Sequence, residues 1–112
     1  MLVTGSRSGP AAPVLRELDR RADQIDCIVT GDADGVDRAA RKWARLRGVD
    51  LLVGRAHWKT LGKRAGPRRN RAMLYACRID LVLAFPGNHG TRNCVTQAEA
   101  RRIKVEFVDR AR

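Results

Sequence analysis

Apolar residues gather in five short runs along the chain: Met1–Thr4, Asp26–Thr30 (D-C-I-V-T), Asp50–Val53, Leu81–Phe85 (L-V-L-A-F) and Val105–Val108 (V-E-F-V). Runs this short predict strands, and an unbroken one such as Leu81–Phe85 predicts a strand buried on both faces of a parallel sheet. Between the runs the pattern turns helical. Val14, Leu15, Leu18 and Ala22 form a stripe suited to a helix lying on a sheet, with Pro10 and Pro13 fitting its first turn. Val36, Ala39, Ala40, Trp43 and Ala44 recur at i, i+3, i+4, i+7 and i+8, and Gly48 fits the C-cap of that helix. Arg68–Cys77 predicts a third helix, with Pro67 opening its first turn and Ala72, Met73, Ala76 and Cys77 facing inward. A fourth spans about Arg92 to Arg102. Strand and helix alternate, and right-handed crossovers then make every strand pairing parallel. The expected fold class is α/β, a three-layer, doubly wound five-stranded parallel sheet of order 3-2-1-4-5.

In that order strands one and four are neighbours at a topological switch point, and ligands bind outside the carboxyl ends of such strands. Three glycine-bearing loops would converge there. The first, Gly5-Ser6-Arg7-Ser8-Gly9, offers N–H and hydroxyl donors and a guanidinium fork, although it lacks the G-x-G-x-x-G dinucleotide pattern. The second is Gly31-Asp32-Ala33-Asp34-Gly35-Val36-Asp37, and the third is Pro86-Gly87-Asn88-His89-Gly90-Thr91. Strand, glycine loop and helix together aim backbone N–H groups at an anion. Asp37, at a helix start, suits capping, with ribose hydroxyl recognition the alternative. D-x-D-x-x-D spacing also invites a divalent metal, but the glycine and terminal glutamate of a calcium loop are missing, so no metal is expected.

Charge sharpens the picture. The 112 residues carry a net +11, yet residues 1–50 balance nine Lys/Arg against eight Asp/Glu. Between Asp50 and Asp80 stand eight basic residues and no acid. A patch of this kind suits phosphates, of a nucleotide or of a nucleic acid. Lys63, Arg69 and Asn70 would cluster at the start of the third helix, while Trp58 either stacks on a base or packs under its loop. His57 has no metal or nucleophile partner at a useful spacing, and Trp43 belongs to the core pattern. Length fits a single domain over residues 1–112, and no run approaches a membrane span. No basic-then-apolar leader precedes Leu2-Val3, and Cys27, Cys77 and Cys94 form no C-x-x-C pair. They read as buried free thiols, and the expected setting is the cytoplasm, without membrane association.

Four motifs in order, T-G-S-R (Thr4–Arg7), G-D-A-D-G-V-D (Gly31–Asp37), W-x-x-x-G-K-x-A-G-P-x-R-N (Trp58–Asn70) and F-P-G-x-x-G-T (Phe85–Thr91), resemble the YspA, YpsA-related branch of the SLOG superfamily. The resemblance implies a Rossmann-like fold and binding of nucleotides or nucleotide-derived ligands, with no obligatory cofactor and a homo-oligomeric state. It assigns ligand contacts to Gly5, Ser6, Arg7, Gly31, Gly35, Asp37, Trp58, Lys63, Gly66, Pro67, Arg69, Asn70, Pro86, Gly87, Gly90 and Thr91. Arg69 with Met73 is similar to the R-x-x-x-M of LOG phosphoribohydrolases, which makes Arg69 the candidate catalytic residue if there is a reaction. In LOG enzymes that arginine works with a glutamate in P-G-G-x-G-T-x-x-E. Here Asn88 replaces the second glycine and Cys94 the glutamate, so binding is expected in preference to hydrolysis. Asp34 also stands where family members often carry arginine. Two alternatives stay open: a single-stranded DNA binder similar to DprA, motivated by the basic segment, and a LOG-like nucleoside-monophosphate hydrolase.

Overall fold

A computed structural model describes residues 1–108. Its strands are β1 (Leu2–Thr4), β2 (Cys27–Gly31), β3 (Asp50–Gly54), β4 (Leu81–Ala84) and β5 (Lys104–Phe107), all parallel, in the order β3-β2-β1-β4-β5. Its helices are α1 (Ala11–Arg20), α2 (Val36–Arg47), α3 (Trp58–Leu61), α4 (Ala65–Ala76) and α5 (His89–Ala100). The expected doubly wound, Rossmann-like arrangement is what the chain adopts.

Alternation along the central strands divides the core in two. Val3 and Leu83 join α1 and α2 on one face, while Leu2 and Val82 join α4 and α5 on the other. All four are fully buried, each worth roughly 1.5–3 kcal/mol relative to exposure. Both faces are covered, which is why the central runs carry no polar alternation. Trp43 is core, its indole N–H donating to Asp19 Oδ1 at 2.8 Å. Gly48 ends α2 in the left-handed region at φ 66°, the expected C-cap. The outer strand β5 carries Lys104 and Glu106, charges that discourage edge pairing, and Glu106 bonds Arg21 at 2.6 Å.

Several boundaries differ from the sequence expectation, and two differences matter for function. The third helix begins at Ala65, not Arg68, and the fourth at His89, not Arg92. Gly66, Gly90 and Thr91 therefore occupy first turns rather than loops, while Pro67 stands in a first turn as expected. The N–H groups of a first turn have no intrahelical partner, so proline and glycine cost little there. Trp58–Leu61 forms an extra helical turn before a 3₁₀ turn at Gly62–Arg64. On α4 the buried side chains are Ala65, Asn70, Met73 and Leu74, while Ala72, Ala76 and, just past its end, Cys77 are exposed. Met73 and Leu74 carry more apolar area than the alanines and win the inward face. Of the three thiols only Cys94 is buried; Cys27 is half-buried and Cys77 exposed.

Candidate functional site

The three loops meet on the backbone of one residue. Ser6 N–H donates to Pro86 O at 3.0 Å, and Ser6 O accepts from Gly9 N–H and Val36 N–H, each at 3.1 Å. One residue thus ties the loop after β1 to the loop after β4 and to the start of α2. Its N–H is already satisfied, so Ser6 offers an incoming anion only its hydroxyl, which lies 3.0 Å from Ser8 Oγ. Gly35 makes the junction possible. It caps α2 at φ 66°, and a Cβ there would lie 2.5 Å from the Arg7 carbonyl carbon, so only glycine fits. Gly5 packs against Val36. Arg7 leaves the junction and lies 5.4 Å from the Trp58 ring centroid.

At the neighbouring strand ends, two glycines remove the wall between the layers. β2 and β3 finish side by side on Gly31 and Gly54. A Cβ on Gly31 would lie 2.5 Å from Asp37 Oδ2 and 2.9 Å from Arg69 Cζ, and one on Gly54 would lie 3.1 Å from Arg69 Cδ. Without those side chains, Arg69 of α4 reaches across the sheet edge toward Asp37 of α2, from the opposite face. Its side chain is 12% exposed and its guanidinium pairs at 3.3 Å with Asp32, a side chain still 32% exposed.

Asp37 does not cap α2, against expectation. Its carboxylate turns back beneath the loop, where Thr30 Oγ1 stands 3.2 Å from Oδ1 and 2.9 Å from Val3 O, with one hydrogen for two acceptors. Burial pushes the Asp37 carboxyl above its ordinary range; Arg69, the Thr30 hydroxyl, the Ala33 N–H and Arg41 pull the other way without cancelling it. Arg41 Nη1 donates to Gly31 O and Ala33 O at 2.7 and 2.9 Å, pinning the loop after β2.

Asn70 connects this arginine to α5. It is 2% exposed, accepts from Arg69 Nε at 3.0 Å, and donates to Gly90 O and Asn93 Oδ1, each at 3.1 Å. Gln97 reinforces the link, donating to Asn93 Oδ1 at 2.8 Å and Pro67 O at 3.1 Å. Asn88, at the N-cap of α5, makes no side-chain bond to the first turn. The N–H groups of that turn carry the positive end of the helix dipole. Pro86 and Gly87 are exposed beside it, Gly90 is open, and Thr91 is buried with its side chain against Gly87. On the outer side of the same loop a cleft of 490 Å³ runs between Phe85, Thr91, Val95 and Phe107.

Most expected site residues therefore converge, but not all. Lys63 is exposed in its 3₁₀ turn and joins none of these contacts. Trp58 is 46% exposed, neither core nor free, with its ring edge 3.3 Å from the position of a Gly66 Cβ. Among the described residues no group of three or more His, Cys, Asp or Glu is placed to hold a metal ion. Cys94, where a LOG enzyme carries glutamate, is fully buried beside Arg69 and Asp37, and burial pushes its thiol up to about 11. Sequence reasoning missed Thr30, Gly54, Asn93 and Gln97. Gly54 had a signal, a glycine directly after an apolar run, as at Gly31; Asn93 and Gln97 had none beyond their i, i+4 spacing.

Comparison with known proteins agrees with the geometry. The model of the YspA, cpYpsA-related SLOG family matches residues 1–60, which include the loops after β1 and β2. The chain belongs to this family. It is also similar to the Gene 61 protein of Mycobacterium phage D29, 35% identical over 118 aligned positions covering 94% of this chain and 92% of the relative. No solved structure matches the chain. Among the described residues no helix is long and apolar enough to cross a membrane.

Proposed function

We propose that this SLOG protein binds a nucleotide or nucleotide-derived ligand by its phosphate, in the crevice over the carboxyl ends of β1, β2 and β4. One observation carries the reading: the Arg69 side chain sits 12% exposed over Gly31, linked through Asn70 to the first turn of α5, and its one ion partner among the described residues is Asp32, 32% exposed. A fixed cation and an uncapped helix N-terminus together suit a phosphate, which competes with the Asp32 contact for the guanidinium. Family membership supports the same ligand class. Trp58, half-exposed with the Arg7 guanidinium 5.4 Å from its ring centroid, is the aromatic face offered to the base.

Binding without cleavage is favoured. At the LOG glutamate position Cys94 presents a buried thiol that is neutral at physiological pH, and Asp37 is engaged with Thr30 and Ala33 beneath the loop. We place the protein in the cytoplasm, of a bacterium or of a phage-infected host, as a ligand-sensing homo-oligomer. Calorimetry against mono-, di- and cyclic nucleotides and ADP-ribose derivatives tests the reading. At least one phosphate-bearing ligand should bind, and Arg69→Ala should weaken it by roughly 1.5–3 kcal/mol, the range for a charge-assisted hydrogen bond. Folded protein that binds none of the panel would overturn the proposal.

A further inference from the structure

The charge count along the chain directs attention to residues 51–79, but folding creates a second basic surface elsewhere. Arg38, Lys42 and Arg45 stand at i, i+4 and i+7 on α2, a single face of the helix. Together with Arg41 they line an open groove of 690 Å³ between α2 and the start of α1. Sequence bookkeeping hid this face because residues 1–50 are nearly neutral. In the fold several acids of that half are engaged away from this face: Asp19 bonds Trp43 and Arg47 at the far end of α2, Glu17 bonds Arg20 and Arg21, Asp32 pairs with Arg69, and Asp37 is buried; Asp23, Asp26 and Asp50 line no part of the groove. Arg41 is engaged with backbone carbonyls, whereas Arg38, Lys42 and Arg45 take part in no ion pair among the described residues. Asp37, adjacent to Arg38 in sequence, is buried, and Asp34, exposed in the loop after β2, does not line the groove.

The groove does not stop at the helix. Its lining includes Gly9 and Gly35, and Gly35 lies against the backbone of Arg7, whose side chain stacks on the half-exposed Trp58. Cations, a glycine saddle and an aromatic face therefore follow one another from the far end of α2 to the rim of the crevice. Leu46, 75% exposed, adds an apolar surface at the distal end. We infer that this groove is a track for the phosphodiester backbone of single-stranded nucleic acid, with Arg38, Lys42 and Arg45 on successive phosphates. Arg38 and Arg45 are separated by about 10 Å of helix, and a stacked strand rises roughly 3.4 Å along its axis per nucleotide, so the face spans about three nucleotide steps. A single strand fits better than a duplex because Trp58 and Leu46 can meet only unpaired bases. The track shares Arg7 and Trp58 with the crevice reading, but none of the three cations belongs to the crevice, so replacing them separates the two readings.

The test is fluorescence anisotropy of a labelled single-stranded oligonucleotide across a salt series, with wild type and the exposed-surface triple variant Arg38→Ala/Lys42→Ala/Arg45→Ala. Removing three phosphate contacts should lower the slope of log K against log salt by about 2 and weaken binding on the order of tenfold or more at low salt. A thermal melt confirms that the triple variant folds, and nucleotide calorimetry should be unchanged in it. Four results would overturn the inference: no oligonucleotide binding by wild type at low salt; an unchanged slope in the triple variant; tighter binding of a duplex; or loss of the whole slope on replacing Lys59, Lys63 and Arg64 alone. Competition by inorganic polyphosphate as effective as by the oligonucleotide would also overturn it, since bases would then contribute nothing.

Discussion

Replacing Asn70 by alanine tests how the two motif-bearing helices are held together. Asn70 makes three hydrogen bonds from a site 2% exposed: it accepts from Arg69 Nε and donates to Gly90 O and Asn93 Oδ1. Each net bond contributes about 1 kcal/mol, and stranding a partner costs more when it is charged. Asn93 Oδ1 keeps its bond from Gln97, and Gly90 O, in the first turn of α5, keeps its intrahelical bond, so the severe loss falls on Arg69 Nε. The expected destabilisation is about 3 kcal/mol. At this chain length that corresponds to a fall in Tm of roughly 12 °C. Urea unfolding measures the free energy, with an unchanged m-value showing that the loss lies in the native state. Gln97→Ala, which removes only the more exposed bonds to Pro67 and Asn93, should cost about 1 kcal/mol or less. The reasoning fails if Asn70→Ala costs under about 0.5 kcal/mol, or if Gln97→Ala costs as much. Ligand affinity should fall with stability in Asn70→Ala, because Arg69 and the first turn of α5 lose their common anchor.

Three further outcomes are expected. Gly31→Ala places a Cβ against Asp37 Oδ2 and the Arg69 guanidinium; the flexible arginine should yield, so Tm should move by only a few degrees while nucleotide binding drops as far as in Arg69→Ala. Asp37 has a folded-state pKa raised above the ordinary 3.8, so the folded protein holds that proton more tightly, and stability drains away as pH rises from 3.8 through the raised value. Asp37→Asn should remove that decline and leave the protein at least as stable as wild type at pH 7, which denaturation across pH 4–8 will show. Thiol titration of native protein should modify Cys77 quickly and leave Cys94 untouched, because burial keeps Cys94 protonated; fast reaction at Cys94 would contradict its place in the core.

Strand order, parallel pairing and the division of helices between two faces were legible because burial on both sides leaves a signature of unbroken apolar runs. The convergence of three glycine loops at the ends of β1, β2 and β4 followed from that order alone. The helix starts at Ala65 and His89 were not legible, since glycine and proline in a first turn look the same in sequence as glycine and proline in a loop. Nor was the inward face of α4, where Leu74 displaces two alanines from the core.

What the amino-acid order determined by itself is the frame: which segments are strands, how they pair, and which loops gather at one end. These depend on local periodicity and on chirality, both written along the chain. What only the tertiary structure decided is how charges meet. Arg69 and Asp37 belong to helices on opposite faces and come together because Gly31 and Gly54 leave the strand ends bare. The basic face of α2 emerges because the carboxylates nearest to it in sequence turn away: Asp37 is buried, Asp32 pairs with Arg69, and neither Asp34 nor Asp50 lines the groove. Charge sums along a sequence treat adjacent residues as neighbours, whereas the field at a surface depends on distances that folding alone sets.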